Sequence, residues 1–325
     1  MTGTRIALSV ALCTCDGERF LPAQLDSIAA QTRLPDELVV HDDRSTDASV
    51  AIVRDFAARA PFPVRVTVNA TRFGSTANFE AALADARGDI IALCDQDDVW
   101  RPDKLARIES AFETSPDALC VFSDAQIVGE HLEPLGYRLW DSVGFDGPPQ
   151  QRMAAGGGVD VLLRQNVVTG ATLALRSDLR DLALPIPPGW VHDGWVGLLA
   201  AAVGVCLPLP EPLVRYRQHG RQQIGAPRPT LRRQIATARR MDAAFLAALA
   251  DAYEAAAERL RRSTTYRCPQ HVLRKIDEKV AHCRARARIR ARRWRHVRCL
   301  LRELRTRRYR RYSLGWKSAA SDLFL

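Results

Sequence analysis

Short apolar runs alternate with helix-spaced segments over the first hundred residues of the chain. Runs of aliphatic and β-branched residues predict strands at 5–12, 37–40, 64–68 and 90–93. Apolar positions three or four residues apart predict helices between them, at 19–31, around Val50, Val53 and Phe56, and at 78–86. This alternation predicts a Rossmann-like α/β fold with a mostly parallel sheet, flanking helices and right-handed crossovers.

Three of the predicted strands end in polar or acidic residues. Residues 14–16 follow the first strand, Asp42 and Asp43 follow the second, and the fourth ends in Asp95, Asp97 and Asp98. A buried, unpaired carboxylate costs several kcal/mol, so these side chains must lie where the strands end. Since the strands are predicted to be parallel, all three clusters gather at one edge of the sheet, which is where open α/β sheets bind ligands.

A nucleotide bound together with a divalent cation would account for this acidic edge. One carboxylate would read a base N–H, one would lie near the ribose, and one would reach the diphosphate through the metal. The glycines match neither the G-x-G-x-x-G fingerprint nor a Walker P-loop, so the phosphate charge would be met by a cation. The simpler alternative is a solvated acidic turn before a helix that begins near Pro102 and Asp103.

The following part of the chain carries weaker patterns. A helix is predicted at 101–113, and strands are predicted at 119–123 and 203–213. Residues 130–158 show little periodicity and predict a mobile loop over the site. Residues 166–175 predict a strand in which Gly170 lets a ligand approach the backbone closely. A further helix is predicted to begin near Asp193, which lies between two tryptophans and beside a histidine, as expected of one charged group in a partly dry site.

Composition narrows the class of protein. An apolar share of 47% in 325 residues argues against disorder. The eight cysteines show no C-x-x-C spacing, so neither a zinc site nor a disulfide framework is predicted. Reduced cysteines and no recognisable secretory signal predict a cytoplasmic location. No apolar run reaches the roughly 18 residues that a membrane-spanning helix requires.

Charge divides the chain near residue 225. Residues 226–325 hold 27 lysines and arginines against 8 acidic residues, whereas the first 225 residues hold 20 against 29. The sequence therefore predicts two domains, 1–225 and a basic extension at 226–325.

The extension predicts helices at 230–262 and 270–311. The second helix carries an apolar stripe among arginines, formed by Ile289, Trp294, Val297, Leu300, Leu301 and Leu304. A basic amphipathic helix of this kind suits an anionic membrane surface. The alternatives are packing of the stripe on the domain or on another subunit, and nucleic acid, which is not expected because no nucleic-acid motif is present.

Several motifs follow one another in the order of a known family. The motifs are T-C-D-G at 14–17, Q-L-D-S-I-x-x-Q-T at 24–32, D-D-x-S at 42–45, C-D-Q-D-D-V-W-x-P-x-K-L at 94–105, T-G-A-T at 169–172, H-D-G-W at 192–195 and Y-R-Q-H-G at 216–220. In this order they resemble the family 2 inverting glycosyltransferases of the GT-A fold, most closely the bacterial rhamnosyltransferase-like group, over about residues 5–225. Each motif is weak alone, and their joint order carries the resemblance.

The resemblance implies a role for each candidate residue. Asp43 would read the base, Asp95 would lie near the ribose, and Asp97 would ligate Mg2+ or Mn2+ together with His219. Asp193 would be the catalytic base. The remaining nucleotide-sugar contacts would come from Cys13, Cys15, Asp16, Arg72 and Gly170. The chain departs from the family at three positions. The family usually has an aromatic residue that stacks on the nucleobase at the position of Cys15, and Asn at the position of Asp16. It often has an aromatic residue at the position of Gly194.

The function expected from the resemblance is metal-dependent, inverting transfer of a sugar, with a rhamnose-like sugar favoured. The donor would be a nucleotide-diphosphate sugar and the acceptor a saccharide or lipid-linked glycan of bacterial surface polysaccharide synthesis, such as O-antigen. The enzyme would then be peripheral at the inner face of the plasma membrane. The alternatives are a catalytically silent nucleotide-sugar binder and a nucleotidyltransferase, although a nucleotidyltransferase should show a basic glycine-rich loop near the first strand, and none is present. A glycoside hydrolase would instead need two carboxyls flanking the bond and no metal edge.

Overall fold

The computed structural model describes residues 5–220, 222, 225–228, 230–292 and 296–324. Within these residues one sheet of nine strands forms the centre, in the order β3-β2-β1-β4-β8-β6-β9-β5, with β7 paired to β6. The strands are β1 Leu8–Thr14, β2 Glu37–Asp42, β3 Val64–Val68, β4 Ile90–Asp95, β5 Val99–Trp100, β6 Ala118–Val128, β7 Pro134–Arg138, β8 Leu173–Arg176 and β9 Val205–Arg217. The predicted α/β class is confirmed.

The first four strands pair in parallel, as predicted. The second half of the sheet is mixed, because β8 runs antiparallel to both β4 and β6, while β6 and β9 are parallel. The strand predicted at 166–175 is wrong over its first half, where Gly170–Thr172 form a 3-10 turn and only Leu173–Arg176 join the sheet. The Gly170 N–H is donated to the Asp193 carboxylate, 3.1 Å away, instead of to a neighbouring strand.

Helices cover the sheet and connect its strands. Those of the first two thirds are α1 Leu21–Ala29, α2 Ser49–Ala57, α3 Ser75–Asp85, α4 Lys104–Thr114, α5 Leu139–Val143, α6 Pro148–Ala154, α7 Gly158–Leu162, α8 Arg180–Ala183 and α9 His192–Val203. The mobile loop predicted at 130–158 is wrong, since β7, α5 and α6 lie there. Trp140 and Phe145 of this segment are buried against Phe122, with ring centroids 5.7 Å from it in both cases. Helices of five to seven residues are too short to show a 3.6-residue period.

The basic extension is helical and more interrupted than predicted. Its helices are α10 Leu231–Arg240, α11 Ala243–Arg262, α12 Gln270–Arg292, α13 Val297–Arg305, α14 Arg308–Tyr312 and α15 Trp316–Phe324. Asp242 breaks the predicted helix at 230–262, because its carboxylate caps α11 by accepting the Phe245 N–H at 2.7 Å. Trp294 of the predicted stripe lies outside the described residues. Within the described part of the chain, no helix combines the length and the apolar character needed to cross a membrane.

The extension packs on the first part of the chain through α11 and α12. The Tyr253 ring meets Trp190 edge-on with centroids 5.1 Å apart, and Trp190 Nε1 donates to the Ala252 carbonyl at 2.8 Å. Arg259 donates to the carbonyls of Leu182 and Leu184. Apolar side chains of both helices belong to the same buried core as the sheet. The domain boundary near residue 225 stays a prediction.

The predicted apolar stripe spans α12 and α13 and is divided between burial and exposure. Ile289 and Leu300 are buried together with Tyr309, whereas Leu301 and Leu304 are exposed. Packing on the chain itself therefore accounts for one part of the stripe, and Leu301 and Leu304 leave an apolar surface on α13.

Replacement of Asp322 by Asn is expected to destabilise the extension. The buried Asp322 carboxylate accepts from Arg286 at 2.6 and 2.9 Å, from Arg290 at 2.8 Å and from the Tyr309 hydroxyl at 2.8 Å. Removing the charge leaves two buried guanidinium groups without their counter-ion, so the free energy of unfolding should fall by about 3–5 kcal/mol. Urea unfolding followed by circular dichroism measures this change.

The matched control is Asp251→Asn, in a solvent-exposed pair 3.7 Å from Arg284. Exposed ion pairs contribute about 0–1 kcal/mol, so this variant should unfold almost like the parent protein. If both variants lost the same free energy of unfolding, the buried Asp322 carboxylate would not stabilise the extension more than an exposed one does.

Candidate functional site

A cleft of about 1580 Å³ lies at the carboxyl ends of β1, β2 and β4. The sheet register places Cys13 beside Asp95 and Thr14 beside Asp42, so the polar strand ends converge as predicted. All the candidate residues from the sequence line this one cleft, namely Cys13, Cys15, Asp16, Asp43, Arg72, Asp95, Asp97, Gly170, Asp193 and His219. Their individual roles stay predictions.

Asp43 organises the loop between β3 and α3. Its Oδ1 accepts the Phe73 N–H at 2.6 Å and the Asn69 side-chain amide at 3.1 Å, and its Oδ2 accepts the Gly74 N–H at 2.8 Å. Gly74 has a positive φ of 83°, which suits glycine at this turn. Because Oδ2 accepts one backbone N–H, a lone pair on this oxygen stays available for a ligand N–H.

Asp16 and Arg72 form an ion pair at the rim of the cleft. Asp16 Oδ1 also accepts the Thr46 N–H at 2.7 Å. The Thr46 N–H and the Arg72 guanidinium lower the pKa of Asp16, which keeps this carboxyl ionised. Arg72 therefore offsets the negative charge of Asp16 at the rim.

The two cysteines line the cleft as small neutral groups. Cys13 is buried, and burial together with the nearby Asp95 raises the pKa of its thiol well above the ordinary value. Burial likewise raises the pKa of Cys15. The Cys15 backbone is held by Gln96, whose Oε1 accepts the Cys15 N–H at 2.8 Å and whose Nε2 donates to the Cys15 carbonyl at 3.0 Å. Sequence reasoning missed Gln96, which ties the acidic turn after β4 to the end of β1.

Asp97 and His219 form the centre of the acidic edge. His219 Nε2 lies 2.8 Å from Asp97 Oδ2, and the His219 ring packs on Phe20 with centroids 4.6 Å apart. Arg217 supports the turn by donating from Nε to the Asp97 carbonyl at 2.6 Å. An oxygen and a nitrogen ligand so close together suit neighbouring positions on a divalent ion, since ligands at about 2.1 Å on an octahedral ion are about 3.0 Å apart.

The pair does not make a complete metal centre. Across the residues that the structure describes, no group of three or more His, Cys, Asp or Glu side chains could hold a metal ion. Mg2+ is commonly bound through one or two protein carboxylates plus substrate phosphates, and a two-residue site fits that kind of binding. The donor set therefore fits a metal that arrives together with a diphosphate.

Asp95 is half-buried like Asp97, whereas Asp98 is fully buried. Burial, then the charges of Asp97 and Asp193, raises the pKa of Asp95 to about 7. Asp98 is fully buried, accepts the Arg217 backbone N–H at 2.9 Å, and has a pKa raised well above the ordinary value by burial. Asp98 thus lies behind the site and anchors β9, as expected of a residue that is not a direct ligand.

Lys104 is a second residue that sequence reasoning missed. It is fully buried, donates from Nζ to the Ala171 carbonyl at 2.9 Å, and lies 3.6 Å from the centroid of the Trp100 ring. Burial lowers the pKa of Lys104 to about 7. Trp100 and Trp195 are core residues, with exposures of 3% and 0%. Only the W-x-P-x-K-L motif in the sequence pointed to Lys104.

Asp193 lies in the first turn of α9 and faces the cleft. Its Oδ2 accepts the Gly170 N–H at 3.1 Å and its Oδ1 accepts from Asn166 Nδ2 at 3.1 Å, so the carboxylate is held from two sides. Gly170 cannot carry a side chain here, because a Cβ would come within 2.4 Å of His192 Nε2. Burial lowers the pKa of His192, whose ring stacks on Phe79 with centroids 4.2 Å apart.

Comparisons of sequence identify proteins that are similar to this chain. Residues 9–160 match the profile of the family described as Glycosyl transferase family 2. An uncharacterised protein of Mycobacterium tuberculosis is 29% identical over 225 residues, covering 65% of this chain and 59% of the relative. An uncharacterised glycosyltransferase of Nostoc sp. is 30% identical over 221 residues, covering 66% and 65%. The dTDP-rhamnosyl transferase RfbG of Shigella flexneri is 31% identical over 98 residues, covering 29% and 34%. The match spans less than two thirds of each relative's length.

Solved structures with a similar fold are glycosyltransferases of the GT-A type. Residues 1–349 of S. aureus TarS superpose with a TM-score of 0.59 at 15% identity, covering 98% of this chain and 89% of that chain. The mannosyltransferase PcManGT of Pyrobaculum calidifontis, in complex with GDP-Man and Mn2+, superposes with a TM-score of 0.55 at 17% identity, covering 98% and 86%. At such identities the likeness shows the fold, which is GT-A.

Proposed function

Because residues 9–160 form a glycosyl transferase family 2 domain, we propose that the chain transfers a sugar from a nucleotide-diphosphate donor to an acceptor hydroxyl with inversion at C1. One observation carries the proposal. A single cleft joins the acidic strand ends, the Asp97–His219 pair and one separate carboxylate, Asp193, which is held by Gly170 and Asn166. Inverting transfer needs this combination, in which one group neutralises the leaving diphosphate and one base activates the acceptor.

Asp193 is proposed to be the general base. The acceptor hydroxyl would give its proton to the Asp193 carboxylate while its oxygen bonds to C1 of the sugar and the bond from C1 to the diphosphate breaks. The Gly170 and Asn166 contacts hold the carboxylate in one orientation, and a carboxylate has lone pairs left for the acceptor hydroxyl. Binding the two reactants in one cleft supplies the orientation that the reaction requires.

Asp97 and His219 would hold Mg2+ or Mn2+ at the diphosphate. When bound, the metal supplies Lewis-acid stabilisation of the negative charge that grows on the leaving diphosphate. The Arg217 contact to the Asp97 carbonyl keeps the turn in position for this role. PcManGT was solved with both GDP-Man and Mn2+, which supports a divalent metal in this fold.

The donor is proposed to be dTDP-rhamnose or a related nucleotide sugar. The S. flexneri relative, a dTDP-rhamnosyl transferase, supports a rhamnose-like sugar. Cys15 stands where the family usually has an aromatic residue. The nucleobase of the donor is therefore expected to be held more by hydrogen bonds, such as one to Asp43, than by stacking.

Calorimetric titration of the chain with dTDP, UDP, GDP and CDP tests the donor site. One nucleoside diphosphate should bind at least about tenfold more tightly with Mn2+ than with EDTA, a difference of about 1.4 kcal/mol. The reason is that the metal neutralises the diphosphate at Asp97 and His219. Failure of all four nucleotides to bind in a metal-dependent way would contradict the proposed activity.

The exposed face of α13 is proposed to attach the chain to an anionic membrane surface. Leu301 and Leu304 are 59% and 42% exposed, and Trp316 at the start of α15 is 75% exposed. Arginines surround them at 298, 302 and 305. Apolar side chains among cations are typical of helices that lie in a membrane interface. A lipid-linked acceptor at the inner face of the plasma membrane would then lie within reach.

Replacing Leu301 and Leu304 together by Ser should reduce co-sedimentation with vesicles of equal parts phosphatidylglycerol and phosphatidylcholine by at least about tenfold, because burial of each leucine contributes about 1.5–3 kcal/mol. The control is Val68→Ser with Leu135→Ser, which removes two apolar side chains of similar exposure from the first part of the chain. Unchanged vesicle binding of the Leu301/Leu304 variant would show that this face of α13 does not attach the chain to the membrane.

A further inference from the structure

The extension provides a second wall of the cleft. Helices α10 and α15 contact each other and line the same cavity as Asp193 and Asp97. The lining residues of these two helices include Arg233, Gln234, Thr237, Lys317 and Ser318, and Met241 follows the end of α10. None of the residues proposed to bind the donor belongs to this wall. With the donor in place, the tail wall, defined as the cleft-lining residues after 225, is therefore left for the acceptor.

The two walls carry opposite charge. The first part of the chain contributes seven carboxylates to the lining, at positions 16, 18, 43, 95, 97, 130 and 193. Within the described residues after 225, the lining contains arginine and lysine side chains and no carboxylate. The cleft therefore repels anions on the side of the strand ends and attracts them on the side of the extension.

Two cations of the tail wall are available to a ligand. Arg286 is paired with Asp322, and Arg228 donates to the Gly136 carbonyl at 3.0 Å. Arg233 and Lys317 are exposed and form no ion pair with any described residue. Two such cations, with the hydroxyl of Thr237 on the same wall, are the donor set that binds phosphoryl oxygens.

From this arrangement we propose that the tail wall is the acceptor subsite and that it takes an acceptor bearing a phosphoryl group, held by Arg233 and Lys317. The proposal rests on the glycosyl transfer proposed above and names the chemical class of its acceptor. The wall also includes Leu314 and Met241, and Leu314 is next but one to the exposed Trp316. An apolar carrier on the phosphoryl group would have apolar side chains to contact.

The test is calorimetric titration of the full chain at low salt in EDTA, so that phosphates do not bind through a metal. The probes are farnesyl phosphate, glucose 1-phosphate and farnesol, which lacks the phosphate. We expect a phosphate probe to bind, and the double variant Arg233→Gln with Lys317→Gln to weaken it by at least about tenfold, since hydrogen bonds to charged groups contribute about 1.5–3 kcal/mol each. Tighter binding of farnesyl phosphate than of glucose 1-phosphate indicates a lipid-linked acceptor, and the opposite order indicates a soluble sugar phosphate. Equal binding would show that the phosphoryl group alone is recognised.

The matched control is Arg232→Gln with Arg239→Gln, which removes two exposed cations from α10 outside the cleft lining. It should bind the phosphate probe within about twofold of the parent protein, because its arginines lie outside the subsite. Absence of phosphate binding, an equal loss in the two double variants, or an unaffected Arg233/Lys317 variant would each overturn the subsite.

Nucleotide binding separates this proposal from the proposed function. Metal-dependent titration of the nucleoside diphosphate should be unchanged in the Arg233/Lys317 variant, since neither residue belongs to the donor set. A chain that binds the phosphate probe through these cations and binds no nucleoside diphosphate would keep the anion site and exclude the glycosyltransferase. A chain that binds the nucleoside diphosphate and no phosphate probe would keep the proposed glycosyl transfer and exclude the anion site.

Discussion

Replacement of Asp193 by Asn is expected to lower kcat for sugar transfer by about 10²–10⁴-fold, the usual contribution of a general base. Asn keeps the size of the side chain and can still accept the Gly170 N–H through its amide oxygen. It cannot take the proton of the acceptor hydroxyl. The affinity for the nucleoside diphosphate should stay within about twofold, because the nucleotide is proposed to bind at the strand ends.

The measurement is transfer of radiolabelled sugar from the donor that titration identifies, beside titration of the same nucleotide into the variant. Asp181→Asn is the matched control, since Asp181 is also in the first turn of a helix but is exposed outside the cleft. Its transfer rate should equal that of the parent protein. A near-normal rate in the Asp193 variant would place the base elsewhere.

Replacement of Asp97 by Ala is expected to abolish the metal-dependent part of nucleotide binding. Asp97 provides the oxygen ligand of the Asp97–His219 pair, so its loss leaves a single imidazole to hold the metal. Stabilisation of the diphosphate by a metal is worth several kcal/mol, and about 1.4 kcal/mol corresponds to tenfold, so transfer should fall by at least about 100-fold. Titrations with Mn2+ and with EDTA should give nearly the same affinity in this variant.

The control for Asp97 is Asp117→Ala, which removes an exposed carboxylate just before β6, outside the cleft. His219→Gln is a second variant at the site, since it keeps a polar side chain next to Asp97 and should weaken the metal effect less than Asp97→Ala does. Full metal dependence in Asp97→Ala would move the proposed metal to another carboxylate, such as Asp95.

Local pattern was a good guide to the parallel strands of the first half of the sheet. The strand predicted at 64–68 is β3 without a change of bounds, and the run that predicts a strand at 90–93 extends by two residues to Asp95. In these segments the hydrophobic pattern and the backbone pairing agree. The pattern was a poor guide at 130–158, where short helices bury Trp140 and Phe145 without a full period between them.

In the candidate site too, some residues were predicted from the sequence and others were not. Acidic residues at three strand ends predicted a common edge, because parallel strands end at the same side of a sheet. The residues that support them were missed, since the motif at 94–105 assigns no role to Gln96 or Lys104, and Asn166 belongs to no motif. Lys104 is an ordinary lysine in a helix until its burial under Ala171 and Trp100 is seen.

The sequence by itself determined the strand–helix order of the first hundred residues, the acidic edge and the basic character of the extension. Periodicity and charge belong to consecutive residues, so they can be read along the chain. Only the tertiary structure decided that His219 meets Asp97 across 122 positions, that Asn166 and Gly170 hold Asp193, and that α10 and α15 form a wall of the cleft. These contacts depend on where distant segments are packed together, and that packing follows from the burial of the whole core rather than from any local pattern.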